Sequence, residues 1–313
     1  MISMRYHIVS LTAIFLALAL GVVLGATKIS SPLLAGLQGD KDTLSSDVSS
    51  LNDTNAELSA RVTSDEKFAA SVAALTVRGT LPDASVVLIT TNDADPADRD
   101  AVLSLLDRAG ATVSGQLQLT ADFTDPARAE DLRSLAASSL PAGATLPETG
   151  KVGATAGGLL AALLIGKEDG TAPATPEATT AGLSALSGGG FVVPSGTPAA
   201  GRSVIILTGG ALTGGSEADR ATVVADLAAQ LAQSAQGVVL TGRTGSQVAT
   251  GSVGVVRTDT AASSAVSTVD DVDTASGRLA TVLALVEQNG GGVGRYGLGD
   301  NAQAQVPTLA VNG

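Results

Sequence analysis

The chain has no cysteine and no tryptophan among its 313 residues, and its soft side chains are one histidine and two methionines, His7, Met1 and Met4. Lack of cysteine removes disulfides and thiolate chemistry while leaving the redox compartment open. Copper(I) and similar soft metals take Cys, Met or His donors, so the chain beyond His7 holds no soft-metal ligand. A serine nucleophile has no histidine base outside the N-terminal tail, which excludes the usual nucleophilic triads. The chain therefore reads as a non-enzyme that needs no cofactor. Aromatic residues are scarce as well, with four Phe and two Tyr. A transmembrane barrel needs aromatic girdles and many strands of alternating polarity, and this composition supplies neither. Basic residues are outnumbered 18 to 30, for a net charge of −12, and every acidic residue lies at Asp40 or later. That balance excludes nucleic acid as a partner and offers no basic patch for anionic lipid.

What the chain does have is a run of nineteen uncharged residues, Ile8 to Ala26. At about 1.5 Å per helical residue it spans about 28 Å, the hydrocarbon thickness of a bilayer. Ala13, Ala17, Gly21 and Gly25 recur every four positions on one helix face, where a second helix can approach closely. A cleaved signal peptide is the competing reading, because Arg5 precedes the run and small residues follow it. The run exceeds the usual length of a signal h-region, which favours an uncleaved anchor. Arg5 and the α-amino group before the span favour a cytoplasmic tail at 1–7, an anchor at 8–26 in the inner membrane, and an exported, periplasmic remainder. The next strongest apolar stretch, Leu159 to Ile165, is too short to span, so one crossing is expected.

After Pro32 the pattern becomes a heptad. Leu37, Leu44, Leu51 and Leu58 occupy one position, and Val48, Asn55 and Val62 fall four residues after a leucine. Leucine at d, β-branched residues at a and a single Asn55 at a favour two parallel strands with a defined register. Lys41, also at a, weakens the seam, and the sparse charges at e and g leave homodimer and heteromer open. Phe68, Val72 and Leu75 resume the repeat three residues out of phase, as a stammer does. The expected coiled coil covers 32–78, or roughly 70 Å of helix, ending near Arg78-Gly79 with Pro82 beyond. An amphipathic helix folded back on the globular part is the alternative.

From 81 to 290 short apolar runs alternate with helical segments. Ser85 to Thr90 reads as a strand, Asp95-Pro96 as the cap and first residue of a helix to about Arg108, and Ala111 to Leu119 as a second strand. The order recurs with a strand at Ser203 to Thr208, a helix from Glu217 to about Ser234, and a strand at Val238 to Thr241. Ala97-Asp98-Arg99 and Ala218-Asp219-Arg220 near the two helix starts suggest a weak duplication. The fold class is α/β: a transmembrane helix, a coiled-coil stalk, then a mostly parallel sheet with helices on both faces. Gly170 to Pro176 and Gly188 to Gly201 read as loops, and 291–313 as a flexible tail.

Two segments resemble ligand sites. Gly209 to Ser216 has the glycine spacing of a phosphate-binding loop, but Gly215 stands where lysine is required, and Ser216 with Asp219 explains the loop end as helix capping. Asp270, Asp271 and Asp273 precede a helix starting near Thr274; the spacing does not complete a calcium loop, and anions are favoured at a helix start in any case.

Several stretches together are similar to one family. They are MIS-x-R-x-H at Met1 to His7, SLTAIFLALALGVVLG at Ser10 to Gly25, LTGRTGS at Leu240 to Ser246, GVVRTD at Gly254 to Asp259, and VSTVDDVDTASGRLATVLALVEQ at Val266 to Gln288. In these the chain resembles the actinobacterial MctB or SteB proteins. The resemblance implies an anchored envelope protein with a coiled coil and an α/β domain. It also implies one of two roles: copper transport through the outer membrane, or cell division and control of peptidoglycan hydrolysis with a SteA-like membrane partner and wall-hydrolase factors. The scarcity of soft ligands and aromatics favours the scaffold role.

Overall fold

The computed structural model describes residues 4–167 and 173–308, and between 27 and 34 the backbone alone. The chain divides into two compact units, Met1–Ser64 and Asp65–Gly313. Helix α1, Met4–Thr76, runs through Pro32, so the anchor and the heptad segment belong to one helix.

Asp65 begins the second unit, earlier than the boundary near Leu81 expected from the sequence. The reason is packing. Ala73 and Val77 are buried in the core of the α/β unit, while Phe68 and Leu75 on the opposite helix face are 72% and 67% exposed. The three-residue slip in the heptad thus moves the large apolar side chains off the face that the α/β unit covers.

The second unit is built on seven strands: β1 Ser85–Thr90, β2 Thr112–Leu119, β3 Val192–Ser195, β4 Ser203–Leu207, β5 Gly237–Thr241, β6 Ser267–Val269 and β7 Arg295–Tyr296. Their order is β3-β2-β1-β4-β5-β6-β7, parallel throughout except that β2 and β3 pair antiparallel. The sheet is open, with helices on both faces. The central strands are continuous apolar runs because both of their faces are covered. One face packs on α4 Ala129–Ser138, α5 Val152–Leu164, α6 Pro176–Gly188, α7 Glu217–Leu231, α8 Ser252–Thr258 and α9 Thr260–Ser263. The other packs on α2 Pro96–Ala109, α10 Ala275–Asn289 and the end of α1. A short helix, α3 Ala121–Thr124, follows β2.

Local chemistry sets the helix ends. The Asp95 carboxylate accepts the Ala97 N–H at 2.8 Å, Pro96 opens α2, and Gly110 closes it at φ 88°. Helices α5 and α7 meet backbone to backbone: a Cβ on Gly153 would lie 2.2 Å from the Val223 carbonyl oxygen.

Three expectations are corrected. Residues 188–201 include strand β3, with Val192 buried against the sheet core, while residues 170–172 of the other expected loop lie outside the described residues. The segment after 290 carries β7, and Tyr296 is buried, so the fold extends well into the expected tail; 309–313 lie outside the described residues. Ser216 makes no cap hydrogen bond and sits at φ 55°; instead the Gly215 N–H donates to the Glu217 carboxylate at 2.8 Å.

Candidate functional site

The strand order reverses direction between β1 and β4. In open α/β sheets this switch point, at the carboxyl ends of the strands, is where ligands bind. Four loops meet there: 91–95 after β1, 208–216 after β4, 242–251 after β5 and 270–274 after β6.

Ion pairs tie this edge together. Asp98, buried near the start of α2, faces Arg278 Nη1 at 3.1 Å and Arg243 Nε at 3.3 Å. Burial raises its pKa above the ordinary carboxylate value, against the opposing pull of the two guanidinium groups. Arg243 also reaches Asp95 at 2.7 Å, and Arg278 reaches Glu66 at 3.7 Å. Glu66 accepts the Ala275 N–H at 2.7 Å, so the last turns of α1 cap the start of α10. Asp273 accepts both the N–H and the hydroxyl of Thr244, at 2.9 and 3.2 Å.

The carboxylates of Asp270, Asp271 and Asp273 therefore serve different partners. Asp270 pairs with Arg257. Asp271 accepts the Thr274 hydroxyl at 3.1 Å through one oxygen, while its other oxygen is buried without a hydrogen bond. Burial pushes its pKa up to about 6. Among the described residues no three His, Cys, Asp or Glu groups converge as a metal site.

At the switch point itself the crevice is nearly closed. Its cavity is about 10 Å³, lined by Thr91, Asp93, Thr208, Leu212, Arg220 and Ser252 among others. Asp93 fills the space over Gly209, where a Cβ would lie 2.4 Å from Asp93 Oδ2.

The residues singled out on α1 lie apart from this edge in sequence. Ala13, Ala17 and Gly21 are exposed, and a Cβ on Gly21 or Gly25 would meet nothing within 4 Å. Met4–Ala26 is long and apolar enough to cross a membrane. Along the heptad, Leu37, Leu44, Val48, Leu51, Asn55, Leu58 and Val62 are all exposed, Leu51 by 62%.

The ion-pair edge has no signature in the local sequence. Arg243, Arg257 and Arg278 all fall inside the quoted motifs, but Arg243 and Arg278 pair with Asp95 and Asp98 at separations of 148 and 180 residues. No local pattern connects groups so far apart. Ser252 carries no sequence signal at all.

Comparison with known proteins gives a consistent picture. The profile of the family described as copper transport outer membrane protein, MctB, matches residues 1–307. Among curated relatives, the copper transporter MctB of Mycobacterium tuberculosis (strain H37Rv) is 37% identical over 310 residues, covering 97% of this chain and 98% of the relative. That of Mycobacterium leprae is 36% identical over 311 residues, covering 96% and 98%.

Proposed function

This chain belongs to the MctB family, and on that footing we propose that it is a membrane-anchored, non-enzymatic envelope scaffold whose partner surface is the leucine face of α1. The observation that carries this reading is the exposed stripe Leu37, Leu44, Leu51 and Leu58, with Val48, Asn55 and Val62 beside it. Exposed apolar stripes of this extent mark interaction surfaces, and the heptad spacing makes the partner a second helix. Ala13, Ala17, Gly21 and Gly25 extend the same pairing into the bilayer. The anchor lies in the inner membrane with the α/β unit outside the cytoplasm, and the scaffold serves division or control of peptidoglycan hydrolysis.

The relatives' names favour a second reading, copper transport. Two features weigh against it. The only soft donors in the sequence are Met1, Met4 and His7, and the described strands form an open sheet covered by helices rather than a barrel. One experiment separates the readings: tagged full-length protein is captured from membranes, its companions are identified by mass spectrometry, and bound copper is measured. The scaffold reading expects an envelope partner that disappears with the double substitution Leu51→Ala, Asn55→Ala. Stoichiometric copper retained without Met1, Met4 and His7, and no companion protein, would overturn it.

A further inference from the structure

We infer that the furrow between α1 and α2 is a docking groove for an acidic amphipathic helix of a partner protein. The furrow belongs to the Asp65–Gly313 unit and uses none of the leucine stripe, so the inference does not depend on pairing there.

The furrow has a volume of about 360 Å³. Its walls are Ala70, Ala73 and Ala74 of α1 and Ala101 and Ser104 of α2, with the buried Leu105 between them. Walls this small let a third helix approach both axes closely and fill the space with its own large apolar side chains, as ridges fill grooves. A small-molecule site needs several polar groups converging on the ligand. This lining offers only Ser104, Arg108 and Arg278, and Arg278 is already paired with Asp98 and Glu66.

The charge lies on the rim. Arg78 and Arg108 stand at one end, where the Gly79 N–H donates to the Arg108 carbonyl at 3.3 Å. Lys67 shares a helix face with Ala70 and Ala74, three and seven residues on. All three cations are exposed, and none makes an ion pair among the described residues. The neighbouring carboxylates do not offset them. Glu66 accepts the Ala275 N–H and faces Arg278, Asp98 is buried against Arg243 and Arg278, and Asp100 pairs with Arg99. Asp65 and Asp107 lie on other faces of their helices, about 160° round from Lys67 and about 100° round from Arg108. In a chain with 30 acidic and 18 basic residues, an apolar furrow thus keeps an unpaired cationic rim. Its complement is a helix with Leu or Ala along one face and Asp or Glu along the borders of that face.

The test is fluorescence anisotropy with the full chain in phosphatidylcholine nanodiscs and a labelled helical peptide of ~18 residues, Leu and Ala on one face and Glu on its borders. Two control peptides carry Lys in place of Glu, or the same residues scrambled. The expected result is saturable binding of the acidic peptide alone. Affinity should fall at least about tenfold with the double substitution Arg78→Glu, Arg108→Glu, and as much with Ala74→Trp, which fills the furrow without changing its charge. Both variants should keep a Tm near wild type, and Leu51→Ala, Asn55→Ala should bind the peptide as wild type does. No binding of the acidic peptide, equal binding of either control, or full affinity in both furrow variants would overturn the proposal. Binding lost only with Leu51→Ala, Asn55→Ala would move the site to the leucine face, and binding of phosphatidylglycerol vesicles in place of the peptide would assign the rim to lipid headgroups; either result overturns it as well.

Discussion

Arg257 and Asp270 form a fully buried ion pair, each side chain 1% exposed, and the chain's C-terminal segment is wrapped around it. Asp270 Oδ1 accepts the N–H groups of Leu298 and Gly299 at 2.8 and 3.1 Å. Arg257 donates to the Tyr296 carbonyl and to Asn301 Oδ1, both at 2.6 Å, and to Thr268 Oγ1 at 2.9 Å. Gly297, at φ 123°, is required where a Cβ would lie 2.2 Å from Asp270 Oδ1.

Removing one member of such a pair leaves an unpaired buried charge, which costs about 3–5 kcal/mol. Arg257→Met and Asp270→Asn should each lower the free energy of unfolding of the full chain by that amount, read from the shift of the denaturant midpoint multiplied by the slope m. Limited proteolysis should then cut after Tyr296 in Asp270→Asn and spare the wild type. Equal protease resistance in both would show that the pair does not hold the segment.

Asp271 makes stability depend on pH. Its folded pKa, about 6, lies above the ordinary value of 3.8. Below about pH 4 both folded and unfolded states are protonated, and the contribution is neutral. Between about 4 and 6 the folded state binds the extra proton, so stability falls as pH rises, by at most about 3 kcal/mol across two pKa units. Asp271→Asn should therefore stabilise the protein at pH 7.5 and have little effect at pH 4, as read by guanidinium unfolding at the two values. A variant equally or less stable than wild type at pH 7.5 would remove Asp271 as the titrating group.

Much of the fold is legible in local pattern. Ser85 to Thr90 and Val238 to Thr241 read as strands because both faces are buried, and Asp95-Pro96 and Gly110 bound α2 through backbone chemistry that needs no distant partner. Strand β3 escaped because four residues containing Pro194 and followed by Gly196 have the composition of a loop; what makes them a strand is pairing with β2 more than seventy positions away. The ion-pair edge escaped for the same reason. Arg243 and Asp98 acquire meaning once the sheet brings their loops together. Ser216 misled through residue type, since its own backbone is αL at φ 55° rather than the extended conformation of a capping serine, and its side chain makes no cap hydrogen bond.

Pairing of the leucine face of α1 with another helix, as proposed above, can be measured directly because the sequence has no native cysteine. Leu51→Cys places a thiol at the seam and Asp53→Cys places one two residues away on the outer face of the same helix. In oxidised membranes Leu51→Cys should run as a disulfide-linked species, with itself or with a partner identifiable by mass spectrometry, and Asp53→Cys should remain uncross-linked. Cross-linking that is absent from both, or equal in both, would show that the leucine face does not pair with another helix.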